Sequence, residues 1–388
     1  MATMELTGVT KTYGSVEALT DLSLSVGDAE FFVLLGPSGA GKTTTLKSVA
    51  GLQEIDAGRV VIGGTDMTGV EPYHRNVAMA FESYALYPQK TVFENLASPL
   101  KSGRTGKYTD ADQKQRIDLV TATLGIDQLQ QRFPRELSNG QRQRVALGRV
   151  LVRPADIYLL DEPLSHLDAK LRAAMRAELK NLGEMSNTTC LYVTHDYQEA
   201  LALGDRIGVL RQGRLVQVGT PEDIWLRPVD SFVAKALGQP EINMLGAEVQ
   251  DGRLVAAAGL IAIPVPPELK VSRGDRVRLG LRPRDIGLGP TGGGDDGWLV
   301  LPGTIGLAER LGRLVEQSVR VGDVDLTVVT SSEHAGREGE SVQVHIPIEF
   351  VHVFAGGEPE QETARIGAAS SERKIRSTTA TSTTVEER

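Results

Sequence analysis

The chain has 388 residues, 40% hydrophobic and 24% charged, an ordinary soluble composition with length enough for two domains. Its 50 acidic residues against 42 Lys and Arg leave a net charge of -8, which argues against a nucleic-acid partner held by phosphate neutralisation. The single cysteine, Cys190, excludes an intramolecular disulfide framework and suits a reducing compartment. No apolar run reaches membrane-spanning length, and the opening MATMELTGVTKTYG does not read as a signal peptide. The expectation is a cytoplasmic chain whose membrane role, if it has one, comes through a partner.

Residues 1–30 alternate short apolar strings with Gly and Asp, as antiparallel strands and turns do. EFFVLL, Glu30 to Leu35, is a nearly continuous apolar run ending at Gly36, the mark of a strand buried on both faces. KTTTLKSVAGL then reads as a helix ending at Gly51, and DADQKQRIDLVTATLGI sets Ile117, Val120 and Leu124 on one helical stripe. IYLL, Ile157 to Leu160, is a second buried strand, followed by a helix aligning Leu171, Met175, Leu179 and Leu182. TCLYVT, Thr189 to Thr194, is a third strand, and RIGVLRQGRLVQVG a hairpin turning at Gly213. Such strand–helix alternation predicts an α/β domain with a largely parallel sheet. After about Gln239 the helices give way to short alternating strings (VRLGLRP, DVDLTVV, SVQVHIP) in which Val342, Val344 and Ile346 share a face, which predicts a small all-β domain. The expected domains are 1–238, containing a helical subdomain at about 84–153, then 239–355, then a disordered tail at 356–388 that lacks aromatic residues.

GPSGAGKT, Gly36 to Thr43, fits G-x-x-x-x-G-K-[ST] and lies between a predicted strand and helix, as a phosphate loop requires. Glycines let the backbone curl so that its N–H groups face a polyphosphate at the helix N-terminus. The candidate set is Gly36, Pro37, Ser38, Gly39, Ala40, Gly41, Lys42, Thr43 and Thr44, with Lys42 reaching the β/γ-phosphates and Thr43 a Mg²⁺ ligand. IYLLDE supplies the complement. An acid ending a buried apolar strand needs a cation, so Asp161 is expected to face Mg²⁺ and Glu162 to deprotonate an attacking water. Ser138 and Gln141 of LSNGQRQRVALGR fit a capping box that opens a further helix.

LSNGQ, placed after one phosphate loop and shortly before LLDEP, resembles the signature of ATP-binding cassette (ABC) proteins over most of residues 3–240. The resemblance implies a P-loop NTPase fold, ATP and Mg²⁺ as ligands, and two cassettes paired head to tail. Each signature helix would then bring Ser138, Gly140 and Gln141 to the other cassette's γ-phosphate. By the same resemblance Tyr13 stacks on adenine, Asp168 of SHLD lies in the loop linking the two sites, and His195 of VTHD senses the γ-phosphate. Two positions depart from the family's pattern. Asn139 stands where a second glycine is usual, and Asn tolerates a left-handed backbone best among non-Gly residues. Glu82 stands where glutamine is usual, in a loop that meets Mg²⁺ and the attacking water; it remains a hard-cation ligand but adds negative charge beside the phosphates.

SYALYP, DEPLSHLDAKLR, GTPEDIWLRPVDSFVAKALGQPEINML and LRPRDI are similar to the ATPase subunits of carbohydrate importers of the maltose-importer type. That implies an OB-like regulatory domain, two membrane-embedded permease subunits, an extracytoplasmic solute-binding protein, and a place on the cytoplasmic face of the membrane. Polyamine, iron and sulfate importers share the layout, and Glu82 with Asn139 leaves open the catalytically weakened half of a heterodimer. In AMAFESYALYPQKTVFENLA, Val77 to Phe81 reads as a core strand; the importer resemblance implies that Tyr84 to Phe93 then helps form a socket for a permease helix, with ordinary core packing as the alternative.

Overall fold

The computed structural model describes residues 2–81, 86–101, 108–165, 167–186, 188–289, 297–357 and 361–370. They fall into two compact units, Met1–Val229 and Asp230–Arg388. In the first unit the chain runs β1 (Met4–Tyr13), β2 (Val16–Val26), β3 (Phe31–Leu35), α1 (Lys42–Ala50), β4 (Ala57–Ile62), β5 (Thr65–Asp66) and β6 (Val77–Ala80). It continues through α2 (Val92–Lys101), α3 (Asp110–Thr123), α4 (Asn139–Leu151), β7 (Ile157–Asp161), α5 (Ala169–Ser186) and β8 (Thr189–Thr194). It closes with α6 (Tyr197–Leu203), β9 (Arg206–Arg211), β10 (Arg214–Gly219) and α7 (Pro221–Leu226).

Two sheets form this unit. The antiparallel one has the order β2-β1-β4-β5, and the larger one β10-β9-β3-β8-β7-β6, parallel except for the β9–β10 hairpin. Every residue of β3, β7 and β8 is buried, as expected where both faces of a parallel strand are covered. Leu19, Leu22 and Leu24 of β2 share one core with Phe32 and Leu34 of β3 and Leu46 and Val49 of α1. Each such side chain contributes about 1.5–3 kcal/mol by leaving water. The phosphate-loop helix is thereby fixed on both sheets at once. Helices α2, α3 and α4 pack on one another. Gly148 of α4 permits that approach, since a Cβ there would meet Leu96 at 3.0 Å and Leu124 at 3.2 Å.

Strand order does the positioning. In the sequence β3, β7 and β8 are far apart; in the sheet they are neighbours, with Leu35 opposite Thr194 and Val193 opposite Asp161. The residues following these three carboxyl ends are Gly36, His195 and Glu162, so the register gathers all three motifs at one edge, where open α/β sheets hold ligands. Strand β6 extends the same edge beyond β7.

The second unit runs α8 (Ser231–Ala236), β11 (Asn243–Gln250), β12 (Arg253–Ala256), β13 (Ile261–Pro264), β14 (Arg276–Leu281), β15 (Gly287–Gly289) and β16 (Trp298–Leu311). Then come β17 (Leu314–Val321), β18 (Val324–Ser331), β19 (Ser341–Pro347), β20 (His352–Ala355) and β21 (Arg365–Ala368). Its sheets have the orders β13-β12-β11-β14-β20-β21 and β15-β19-β16-β17-β18, around a core that includes Leu254, Leu279, Val319, Leu326, Val344 and Val353. Val344 and Ile346 face that core together and Val342 packs against it.

Three expectations change. The second unit begins at Asp230 rather than after 238, because α8 is tied to β strands: the Arg282 guanidinium donates to the carbonyls of Ala234 and Leu237 at 3.5 and 3.2 Å, and Ser231 exchanges bonds with Thr363. The stretch from 356, expected as a disordered tail, holds β21, which pairs with β20 and buries Ala369. Backbone bonds to an existing strand edge hold it, so its side chains gave no signal; residues 371–388 lie outside the described residues. The strand expected over Val77 to Phe81 ends at Ala80, leaving Phe81 exposed.

Candidate active site

The phosphate loop follows β3 without a residue to spare. A Cβ on Gly36 would lie 2.5 Å from the Leu210 carbonyl oxygen, and one on Gly41 (φ 105°) 2.5 Å from that of Ala18, so both positions require glycine. Gly39 also has positive φ, 79°, but open space beyond it. The β9–β10 turn, left-handed at Gln212 and Gly213, braces the loop: the Gly213 N–H donates to the Ala40 carbonyl at 2.9 Å. Lys42 is buried, and its ammonium donates to the carbonyls of Gly36 at 2.8 Å and Pro37 at 3.1 Å. Thr44 lies in the first turn of α1.

At the head of α1 the Thr43 hydroxyl donates to Asp161 Oδ1 at 3.1 Å, joining the loop to the end of β7. A hydroxyl and a carboxylate side by side are the hard oxygen ligands that Mg²⁺ takes when phosphate and water complete its octahedron. Among the described residues no three His, Cys, Asp or Glu side chains come together as a closed metal cage, and such a Mg²⁺ site needs none. The donor set fits the ion.

Glu162 has the left-handed φ of 44°, a conformation that costs a non-glycine residue about 1–3 kcal/mol. Its N–H donates to the Val193 carbonyl at 3.1 Å, while its own carbonyl accepts from the Ser165 hydroxyl at 2.9 Å and the Ser165 N–H at 3.2 Å. Held so, the carboxylate places Oε1 3.4 Å from Lys42 Nζ and Oε2 2.7 Å from His195 Nδ1. One carboxylate thus touches both the phosphate-loop cation and the histidine beyond the third strand.

The remaining predicted residues stand apart from this cluster. Ser138 caps α4 in the expected reciprocal pattern, its hydroxyl accepting from the Gln141 N–H at 3.3 Å and Gln141 Oε1 accepting from the Ser138 N–H at 2.9 Å. Gly140 lies against Leu167 and Leu171, where an added Cβ would touch both at 3.4 Å. Asn139 begins the right-handed α4 and is absent from the left-handed residues, so the argument from its tolerance of such a backbone is not needed. Asp168 accepts the Leu171 N–H at 2.9 Å, capping α5. Tyr13, at the end of β1, is exposed; its hydroxyl donates to Gln53 Oε1 at 2.8 Å, and Lys11 Nζ lies 5.6 Å from the ring centroid. Glu82 and Tyr84 lie outside the described residues. Tyr87 is exposed with cations over its ring, Lys90 Nζ at 4.6 Å and the Arg149 guanidinium at 4.8 Å.

Sequence reasoning passed over Gln53, which holds Tyr13, and a partly buried polar group formed by Arg172, Thr194, Asp196 and Glu199. The Asp196–Glu199 spacing was readable as a helix cap, which it is, with Asp196 accepting from the N–H groups of Gln198 and Glu199. The burial of Glu199 behind His195 was not readable from spacing.

Comparison with known proteins places this geometry. The family described as ABC transporter matches residues 19–165. The trehalose/maltose import ATP-binding protein MalK of Thermococcus litoralis is 41% identical over 374 residues, spanning 91% of this chain and 98% of that protein. The sn-glycerol-3-phosphate import ATP-binding protein UgpC of Chromohalobacter salexigens is also 41% identical, over 359 residues, 91% of this chain and 94% of its own. Among solved structures, a dimeric bacterial ABC transporter cassette aligns with a TM-score of 0.53 at 30% identity, covering 56% of this chain and 98% of the cassette. A post-hydrolysis dimer bound to ADP and Pi aligns with the same score at 29% identity and the same coverage.

Proposed function

The chain belongs to the ABC transporter family as an import-type ATP-binding subunit that hydrolyses ATP, and on that premise we propose that two cassettes close over two ATP molecules to drive uptake of a sugar or sugar-like solute. The single observation that carries the catalytic reading is the Glu162 carboxylate held between Lys42 and His195. Lys42 exchanges the carbonyls of Gly36 and Pro37 for the β/γ-phosphates, and the N–H groups of the 36–44 loop take the remaining phosphate oxygens. Thr43 and Asp161 would hold Mg²⁺, with Glu82 as a further oxygen ligand, and the ion would supply neutralisation of phosphate charge. Glu162 accepts a proton from the attacking water as the water oxygen bonds to the γ-phosphorus and ADP departs. His195 orients Glu162 and the γ-phosphate, and Tyr13 stacks on adenine. The opposing cassette contributes Ser138, Gly140 and Gln141 at the N-terminus of α4, with Asp168 in the loop between the two sites.

No helix among the described residues is long and apolar enough to cross a membrane, which fits a role carried out through partners. Those partners are two permease subunits and, through them, an extracytoplasmic binding protein, with this chain on the cytoplasmic face. A groove of about 190 Å³, lined by Met79, Phe81, Pro99, Arg149 and Arg153 beside exposed Tyr87, supports the docking of a permease helix there. The β-rich second unit serves as the OB-like regulatory domain. The test is phosphate release by the purified chain in Mg²⁺ and ATP: dimer-dependent hydrolysis is expected, and no hydrolysis at any protein concentration would refute the reading.

A further inference from the structure

Beside Glu162 and His195 lies a small polar pocket of about 30 Å³ lined by Glu162, Ser165, Arg172, Thr194, Asp196 and Glu199, together with His195. Glu199 is buried, and its Oε2 accepts from both the Tyr192 hydroxyl and the Thr194 hydroxyl at 2.8 Å. The Thr194 oxygen in turn accepts the Asp196 N–H at 3.0 Å. The residues on either side of His195 are therefore both tied to one buried carboxylate, directly or through one hydroxyl. Arg172 joins this knot to the loop after Glu162: its Nη2 donates to the Leu167 carbonyl at 3.1 Å, and its Nη1 donates to Asp196 Oδ2 at 3.4 Å. Its Nε stands 4.0 Å from Glu199 Oε1 and has no hydrogen-bond acceptor among the described residues. That contact is an ion pair without a hydrogen bond.

We propose that Arg172 and Glu199 are positioning residues that set the His195 turn against the loop at Leu167 and Asp168, so that displacement of the loop is felt at the Glu162–His195 pair. The inference rests on Glu162 being the catalytic carboxylate. The loop carries Asp168 at its end and is the segment assigned above to cross-dimer contact. A guanidinium bonded to that loop's backbone on one side and to the His195 turn on the other transmits its movement by geometry alone. Two carboxylates share one cation, so neither can be discharged without altering the other's hold on it. Tyr192 and Thr194 keep Glu199 fixed while Arg172, only partly buried, is the member able to move.

The test uses the full chain, with Arg172→Met, Glu199→Gln and the double variant compared for phosphate release, ATP affinity and melting temperature. Gln at 199 keeps an oxygen for both hydroxyls, removes the charge and turns the oxygen facing Arg172 into an N–H₂. Each single variant is expected to lower kcat about tenfold, because small misplacement of a catalytic group is costly. KM is expected to stay within about twofold, with the double variant no slower than the slower single one, as for residues acting as a unit. Parent kcat in both single variants, a loss that appears in KM instead, or multiplied losses in the double variant would overturn the proposal. Glu162→Gln run alongside separates the two levels: if it hydrolyses at the parent rate the site assignment fails. If it is inactive while the Arg172 and Glu199 variants run at the parent rate, the positioning role alone fails. Should Glu199→Gln not fold, Arg172→Met decides through its kcat against KM.

Discussion

Replacing Glu162 by Gln isolates chemistry from architecture. The amide has the volume of the carboxylate, and its oxygen still serves as an acceptor 3.4 Å from Lys42. The new amide N–H₂ faces His195 Nδ1, 2.7 Å away in the parent, and the neutral imidazole accepts there in its other tautomer. The structural loss is the carboxylate charge beside a buried Lys42, whose carbonyl partners remain; it costs about 1–3 kcal/mol, at roughly 2–4 °C of melting temperature per kcal/mol in a unit of this size. The chemical loss is the general base, about 10²–10⁴ in rate, or about 3–5 kcal/mol of barrier. Phosphate release should therefore fall at least about a hundredfold while ATP binding persists. With hydrolysis blocked, a closed dimer should accumulate in Mg²⁺-ATP and be visible by size-exclusion chromatography. A variant that hydrolyses at the parent rate, or one that loses activity together with ATP binding, would refute the assignment of Glu162.

Gly36→Ala should abolish nucleotide binding and destabilise the first unit by about 1–3 kcal/mol, since the new methyl meets the Leu210 carbonyl at 2.5 Å; equilibrium denaturation with ATP titration reads both. Asp161→Asn keeps an acceptor for Thr43 but removes the charge, so half-maximal activation by Mg²⁺ should rise on the order of tenfold or more, with little change in melting temperature. In the second unit burial, then the Arg282 and Arg365 charges, push the His352 pKa from 6.5 down to about 3. Below pH 6.5 the unfolded chain takes a proton that the folded unit refuses, so the stability present above that pH is lost toward pH 3. From pH 6.5 to 5 the loss is about 2 kcal/mol at about 1.4 kcal/mol per unit, and His352→Asn should flatten that slope in urea titrations at the two pH values.

What the sequence made legible was whatever a short window encodes. FFVLL, IYLL and TCLYVT are apolar or nearly apolar runs, and each lies in a fully buried parallel strand. The Ser138–Gln141 capping box is a four-residue pattern with reciprocal bonds, and it formed as read. Features set by distant pairing were not legible. RIGA has no pattern of its own and becomes β21 only because β20 offers an edge. SFVAKA is a plausible end to the first domain until Arg282, some fifty positions later, donates to its carbonyls. The exposure of Phe81 likewise follows from where β6 stops pairing with β7.

Glu162 shows why motif and geometry carry different information. The order of apolar strand, Asp, Glu marks a candidate acid but leaves open which way it points. Asp161 continues the strand and faces Thr43; one residue later the backbone turns left-handed at φ 44°. That single dihedral change sends the second carboxylate across the sheet edge toward Lys42 and His195, away from the Thr43 hydroxyl. Two adjacent acids thereby meet separate partners, one the Thr43 hydroxyl and the other Lys42 and His195. The strain is sustained because Val193 and Ser165 bind the Glu162 backbone from both sides. A glycine at 162 would relieve it and lose the base; a glutamine keeps the strained backbone and its aim. The conformational cost is therefore local to the residue that needs direction, and the rest of the sheet edge stays regular.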